Sequence, residues 1–150
     1  KLKDLLPTDH DLAIYGKEWN FLDKNLIHGD HIPNNQLKKA YSSCKILLND
    51  HWEDMRMKGF ISNRIFDGFA SGAFIISDEI NGAKEIFGNT LVTYSNSEEL
   101  HELIDYYLEN EEERRNLANK GRDIVLLKDQ TYENRVKQIL EIIHKSELGS

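Results

Sequence analysis

Residues 45–78, KILLNDHWEDMRMKGFISNRIFDGFASGAFIISD, limit the fold more than any other stretch of the chain. Two compact apolar runs, 45–49 (KILLN) and 73–77 (AFIIS), have the length of buried strands. Between them Ser62 offers a capping hydroxyl, apolar residues recur at helical spacing to about Ser71, and Gly72 supplies a stop. Strands of this kind, alternating with helices, belong to a parallel sheet covered on both faces.

The flanking sequence fits that α/β plan. Residues 11–15 (DLAIY) read as a buried strand ending at Gly16, and 26–28 as a second short strand. The polar stretch 17–25 between them is too short for a full crossover helix. Leu37, Ala40, Tyr41 and Cys44 repeat at helical spacing behind Pro33, with Asn34 or Asn35 as the cap. Residues 50–59 read as a polar loop, 84–87 as a short helix and 90–94 as a fifth strand. Ser97 then caps a helix with the stripe Leu100, Leu103, Ile104, Tyr107 and Leu108. Glu111, Glu112 and Glu113 begin a second helix, where carboxylates suit the helix dipole, and Leu117, Gly121, Ile124 and Val125 mark its course. Thr131 opens a third, with Tyr132, Val136, Ile139, Leu140 and Ile143 on one face. Without repeats or a low-complexity linker, one domain over 1–150 is the economical reading, and a start at Lys1 suggests a piece of a longer chain.

Composition narrows the function class. Apolar residues make up 39% and charged residues 30%, a soluble globular balance. No apolar run approaches the ~20 residues of a membrane helix. The net charge of −7 argues against nucleic acid as a partner, so an anionic ligand needs a locally positive site. The single cysteine, Cys44, excludes an internal disulfide, suits a cytoplasmic location and falls on an expected core face.

The chemistry concentrates after the strand at 45–49. In an open parallel sheet, ligands sit outside the carboxyl ends of the strands. Loop 50–61 and the helix start at Ser62 lie at that edge. A helix N-terminus offers free N–H groups and partial positive charge, and Arg64 adds a guanidinium shaped for phosphate oxygens. Ile65, Phe66, Phe69 and Ala70 sort to one helix face; Asn63, Arg64 and Asp67 share the other. A carboxylate one turn in from such a start can accept hydrogen bonds from ribose hydroxyls. Spacing alone leaves open an ordinary Arg64–Asp67 surface ion pair, worth little.

Residues 41–78 also resemble a known family. Tyr41, Ser43, Lys45, Leu48 and Asn49, then Asn63-Arg64-Ile65-Phe66-Asp67-Gly68-Phe69-Ala70-Ser71-Gly72-Ala73-Phe74 and Asp78, are similar to the C-terminal domain of the glycosyl transferases group 1, in the spore-maturation-protein-like branch. The likeness continues through Leu91-Val92-Thr93-Tyr94, Glu98-Glu99-Leu100, Arg114 and Thr131-Tyr132-Glu133-Asn134-Arg135-Val136. It implies a Rossmann-like sheet forming the C-terminal half of a GT-B glycosyltransferase, bacterial and of hexosyltransferase type. The implied donor is a nucleotide-diphosphate sugar, the acceptor a glycan or another group, and no further cofactor or metal is required. A partner Rossmann-like domain, N-terminal and outside this chain, would carry the acceptor site, leaving the fragment inactive alone. Arg64 takes the catalytic role. Gly29, Asn49, His51, Phe60, Ile61, Ser62, Asn63 and Asp67 form the donor set, with the 29–32 turn against the nucleobase. In such families a glutamate at the place of Asp67 holds the ribose; a second, eight residues earlier, falls here at Gly59, where no acid stands.

Other readings have less behind them. His51, Glu53 and Asp54, or His28, Asp30 and His31, lack a firm metal-ligand pattern. His51 is open between a donor-edge residue and an exposed loop histidine, and Trp19 reads as packing. Dinucleotide, Walker, nucleophile-elbow and Cys-x-x-Cys motifs are absent. A non-catalytic binding module of the same fold stays as the alternative. A receiver domain would need a phosphorylatable aspartate at a strand end such as Asn49.

Overall fold

The computed structural model describes residues 5, 6, 8–17, 19, 22–127, 136, 137, 139–142 and 144. Strands β1 (Ile14–Tyr15) and β2 (Ile27–Gly29) precede α1 (Asn34–Ser43). Then come β3 (Leu47–Asn49), α2 (Glu53–Lys58), α3 (Asn63–Ala70), β4 (Ile75–Asp78), α4 (Ala83–Phe87), β5 (Val92–Tyr94), α5 (Ser97–Glu109) and α6 (Glu111–Leu127). Among the described residues every strand pairing is parallel, as expected of alternating strands and helices.

The strands form two sheets, β1-β2 and β3-β4-β5, rather than one. β1 keeps only two residues, and its ladder with β2 slips between Ile14 and Tyr15. That leaves little regular edge for a further partner. Tyr15 is exposed, so the expected buried strand 11–15 is reduced to its end.

The central strand explains the layering. Ile75 faces a cluster of Ile65, Phe69, Ile80, Phe87 and Val125, whereas Phe74 and Ile76 face one of Leu5, Tyr94, Leu100, Ile104 and Tyr107. Alternation along one strand thus assigns neighbours to opposite faces, each covered by helices. α6 reaches both clusters, through Val125 and Ala118. It crosses α3 closely at Gly121, where any Cβ would collide with the fully buried Phe69 ring. Fully burying a side chain such as Phe69 contributes roughly 1.5–3 kcal/mol.

Several local expectations change. Pro33, not Asn34 or Asn35, occupies the cap position of α1, with no side-chain cap bond. Asn96 caps α5, its side chain accepting from the Glu99 N–H at 2.9 Å, and Ser97 becomes the first helical residue. Cys44 is exposed at the end of α1, its thiol donating to the Tyr41 carbonyl at 3.3 Å. The largest departure is α2, which folds residues expected to be loop. Of the expected third C-terminal helix, Thr131, Tyr132 and Ile143 lie outside the described residues. Val136, Ile139 and Leu140 are helical and exposed.

Candidate functional site

Helix α3 begins at the carboxyl edge of the three-stranded sheet, and Ser62 caps its first turn. Ser62 has extended backbone, and its hydroxyl accepts from the Arg64 N–H at 3.3 Å. Its carbonyl accepts from the Ile65 N–H at 3.0 Å. The Asn63 N–H has no acceptor among the described residues. Ile65 and Phe69 are buried beneath, with Phe66 and Ala70 packed beside them. Asn63, Arg64 and Asp67 are exposed on the opposite face, as the spacing predicts.

Arg64 does not pair with Asp67 among the described residues. Its Nη1 donates instead to Asn49 Oδ1 at 3.3 Å. Asn49 ends β3 and is 2% exposed. Its amide is oriented from behind, because Nδ2 donates to Ser77 Oγ at 3.0 Å across the β3–β4 register. The surface ion pair allowed by spacing is thus replaced by a guanidinium held on a buried amide.

His51 lies behind the same helix start. Its side chain is fully buried against Asp78, with Nδ1 2.6 Å from Asp78 Oδ1. The Ser62 N–H donates to Nε2 at 3.0 Å. An N–H can donate only to a bare ring nitrogen, so Nε2 carries no proton and the Nδ1 proton points at Asp78. Asn49 Nδ2 stands 3.5 Å from Nδ1, but a protonated Nδ1 cannot accept, and the shorter bond to Ser77 prevails. The exposed-loop expectation for His51 is thus overturned by burial. Both ring nitrogens are engaged and the side chain has no exposed surface.

Asp78 anchors the group. Oδ1 accepts from the His51 N–H at 3.1 Å and from the Ser77 hydroxyl at 3.4 Å, and Arg56 Nε stands 3.6 Å from Oδ2. Desolvating a carboxylate costs several kcal/mol, which charge-assisted bonds of about 1.5–3 kcal/mol each can offset. No buried side-chain polar atom is left without a partner among the described residues.

The remaining expected residues separate. Phe60 is exposed just before the helix, and Ile61 packs half-buried on the α3 core. Gly29 ends β2 in the smaller sheet, its carbonyl accepting from the Gly16 N–H at 3.0 Å. No hydrogen bond joins residues 29–32 to α3 among the described residues. Trp19 lies over Gly16, its indole nitrogen 2.7 Å from where a Cβ would stand. Asp78, Ser77 and Arg56 were not in the expected set. Asp78 ends β4, and parallel pairing of Asn49 with Ser77 brings it beside His51. No metal-binding group of His, Cys, Asp or Glu forms among the described residues. No helix there is long and apolar enough to cross a membrane.

Gly59, where the family likeness leads one to look for an acid, has a structural task. It follows α2 in the left-handed region (φ +67°), its N–H donating to the Arg56 carbonyl and the Phe60 N–H to the Met55 carbonyl. That pair of bonds is the Schellman termination, which favours glycine. Gly72 (φ +82°) ends α3 in the same way.

Comparison with known proteins adds one finding. Residues 1–141 match the family described as glycosyl transferase-like. No curated protein and no solved structure matches the chain.

Proposed function

Because the chain belongs to the glycosyl transferase-like family, we propose that it binds the nucleotide-diphosphate-sugar donor of a glycosyl transfer reaction at the start of α3. The observation that carries this reading is the Arg64 guanidinium, held on buried Asn49 beside the Ser62-capped helix start, with Asp67 one turn on. The diphosphate would lie against the Asn63 N–H and Arg64. There the helix dipole and a fixed cation stabilise charge growing on the leaving group without requiring a divalent metal. Asp67 would accept from the ribose hydroxyls. The base would lie toward the 29–32 turn, and acceptor and sugar would be completed by an N-terminal Rossmann-like partner domain, giving a GT-B enzyme of hexosyltransferase type. On this reading the 150-residue chain binds donor but transfers little.

Titration of the chain with UDP, GDP and ADP, followed by calorimetry or NMR, tests the assignment. One of the three should bind, and Arg64→Ala should weaken it by about tenfold or more, the scale of one charge-assisted phosphate contact. No binding at millimolar ligand would overturn it.

One observation favours a second reading, donor binding without turnover: Gly59 holds no acid and sits in a conformation that disfavours one. Donor-sugar hydrolysis by the full-length protein, abolished by Arg64→Ala, would exclude it.

A further inference from the structure

We propose that His51 is a positioning residue: beneath the sheet edge Asp78 sets both halves of the anion site, the helix start through His51 and the guanidinium through Ser77 and Asn49. The inference rests on the donor-site reading above and adds how that site is held. One arm runs from Asp78 Oδ1 to the Nδ1 proton of His51, and from Nε2 to the Ser62 N–H. It fixes where α3 presents its first free amide. The other runs from Asp78 Oδ1 to the Ser77 hydroxyl, then to Asn49 Nδ2, and from Asn49 Oδ1 to Arg64. It fixes the guanidinium. One carboxylate therefore coordinates a backbone donor and a side-chain donor that belong to the same helix turn but are reached by separate paths.

The arrangement exceeds what packing alone requires. A hydrophobic side chain at position 51 would fill the space, yet it would leave Asp78 Oδ1 without the Nδ1 proton and the Ser62 N–H without an acceptor. Donors held in place before the ligand arrives cost no reorganisation when it binds, which is the advantage such an arrangement confers on an anion site. Arg56 faces Asp78 from α2 on the opposite oxygen and balances the buried charge without entering either arm.

The two ends of the imidazole can be tested separately. Asn in place of His51 keeps an N–H near Nδ1 and loses the acceptor at Nε2; Gln carries an acceptor to the reach of Nε2. With UDP and inorganic pyrophosphate as probes, His51→Asn should bind about tenfold more weakly than the native chain, and His51→Gln within about twofold of it. Ser77→Ala removes one buried hydroxyl and leaves His51 in place. It should weaken both probes about fivefold and add little on an Arg64→Ala background, because both changes act through the same guanidinium. Nitrogen-15 spectra of the native chain should show His51 protonated at Nδ1 and bare at Nε2. Should His51→Asn fail to fold, Ser77→Ala and the tautomer decide. A native chain that binds neither probe overturns the donor-site reading and this role with it. Native binding that survives intact in His51→Asn and Ser77→Ala, or a proton on Nε2, overturns the positioning role alone.

Discussion

Asp67 sits on the exposed face of α3, yet its carboxyl is partly shielded, and that burial raises its pKa above the ordinary 3.8. The folded state therefore disfavours the charged form. Below the unfolded value both states are protonated and the residue costs nothing; as pH rises through the raised folded value the cost is imposed in full. Asp67→Asn should unfold at higher urea than the native chain at pH 7 and at the same urea near pH 3. A midpoint difference that persists at low pH would contradict this origin. A carboxylate kept where it weakens the fold fits the ribose contact proposed for Asp67.

At the scale of elements, α2 matters most. Its C-terminal glycine takes the place where the family likeness sets an acid, and the reason is conformational: a Cβ at Gly59 would meet only the Asn81 carbonyl, at an ordinary 3.6 Å. Backbone strain, not crowding, decides. Gly59→Glu should cost roughly 1–2 kcal/mol, read from denaturant midpoints. A loss below about 0.5 kcal/mol would mean the turn re-forms without the left-handed residue. The signs of α2 were present in the sequence: Glu53 and Asp54 in a first turn, Arg56 and Lys58 in a last, then glycine. Six residues without an apolar stripe do not distinguish themselves from a loop in the sequence. α3 was legible because Ser62, a strong apolar face and Gly72 agree. The buried relay was not, since His51 and Asp78 stand 27 residues apart and meet only through strand register. Periodicity reports which face a residue occupies, not which partner the register brings to it.

Across the whole molecule, Phe74 just ahead of β4 and Ile75 and Ile76 within it divide the interior into two apolar clusters, and α6 joins them. Arg114, buried near the start of α6, donates to the carbonyls of Tyr107 and Leu108 and so ties that helix to the end of α5. The chain as a whole is acidic, with net charge −7, and the edge that presents Arg64 also carries a capped helix start. The diphosphate binding proposed above would then depend on short-range contacts with Arg64 and the helix start, and moderate salt should weaken it less than it would binding to a diffuse basic surface. The Ser62 amide also records time. Amides at helix starts ordinarily exchange with solvent readily through fraying. This one is bound to an imidazole that is itself enclosed between strand ends, so it should exchange only when β3 and β4 part. Deuterium uptake at Ser62 that is slow, and matched to Ser77 rather than to Asn63, would make a single amide a clock for the opening of the sheet edge.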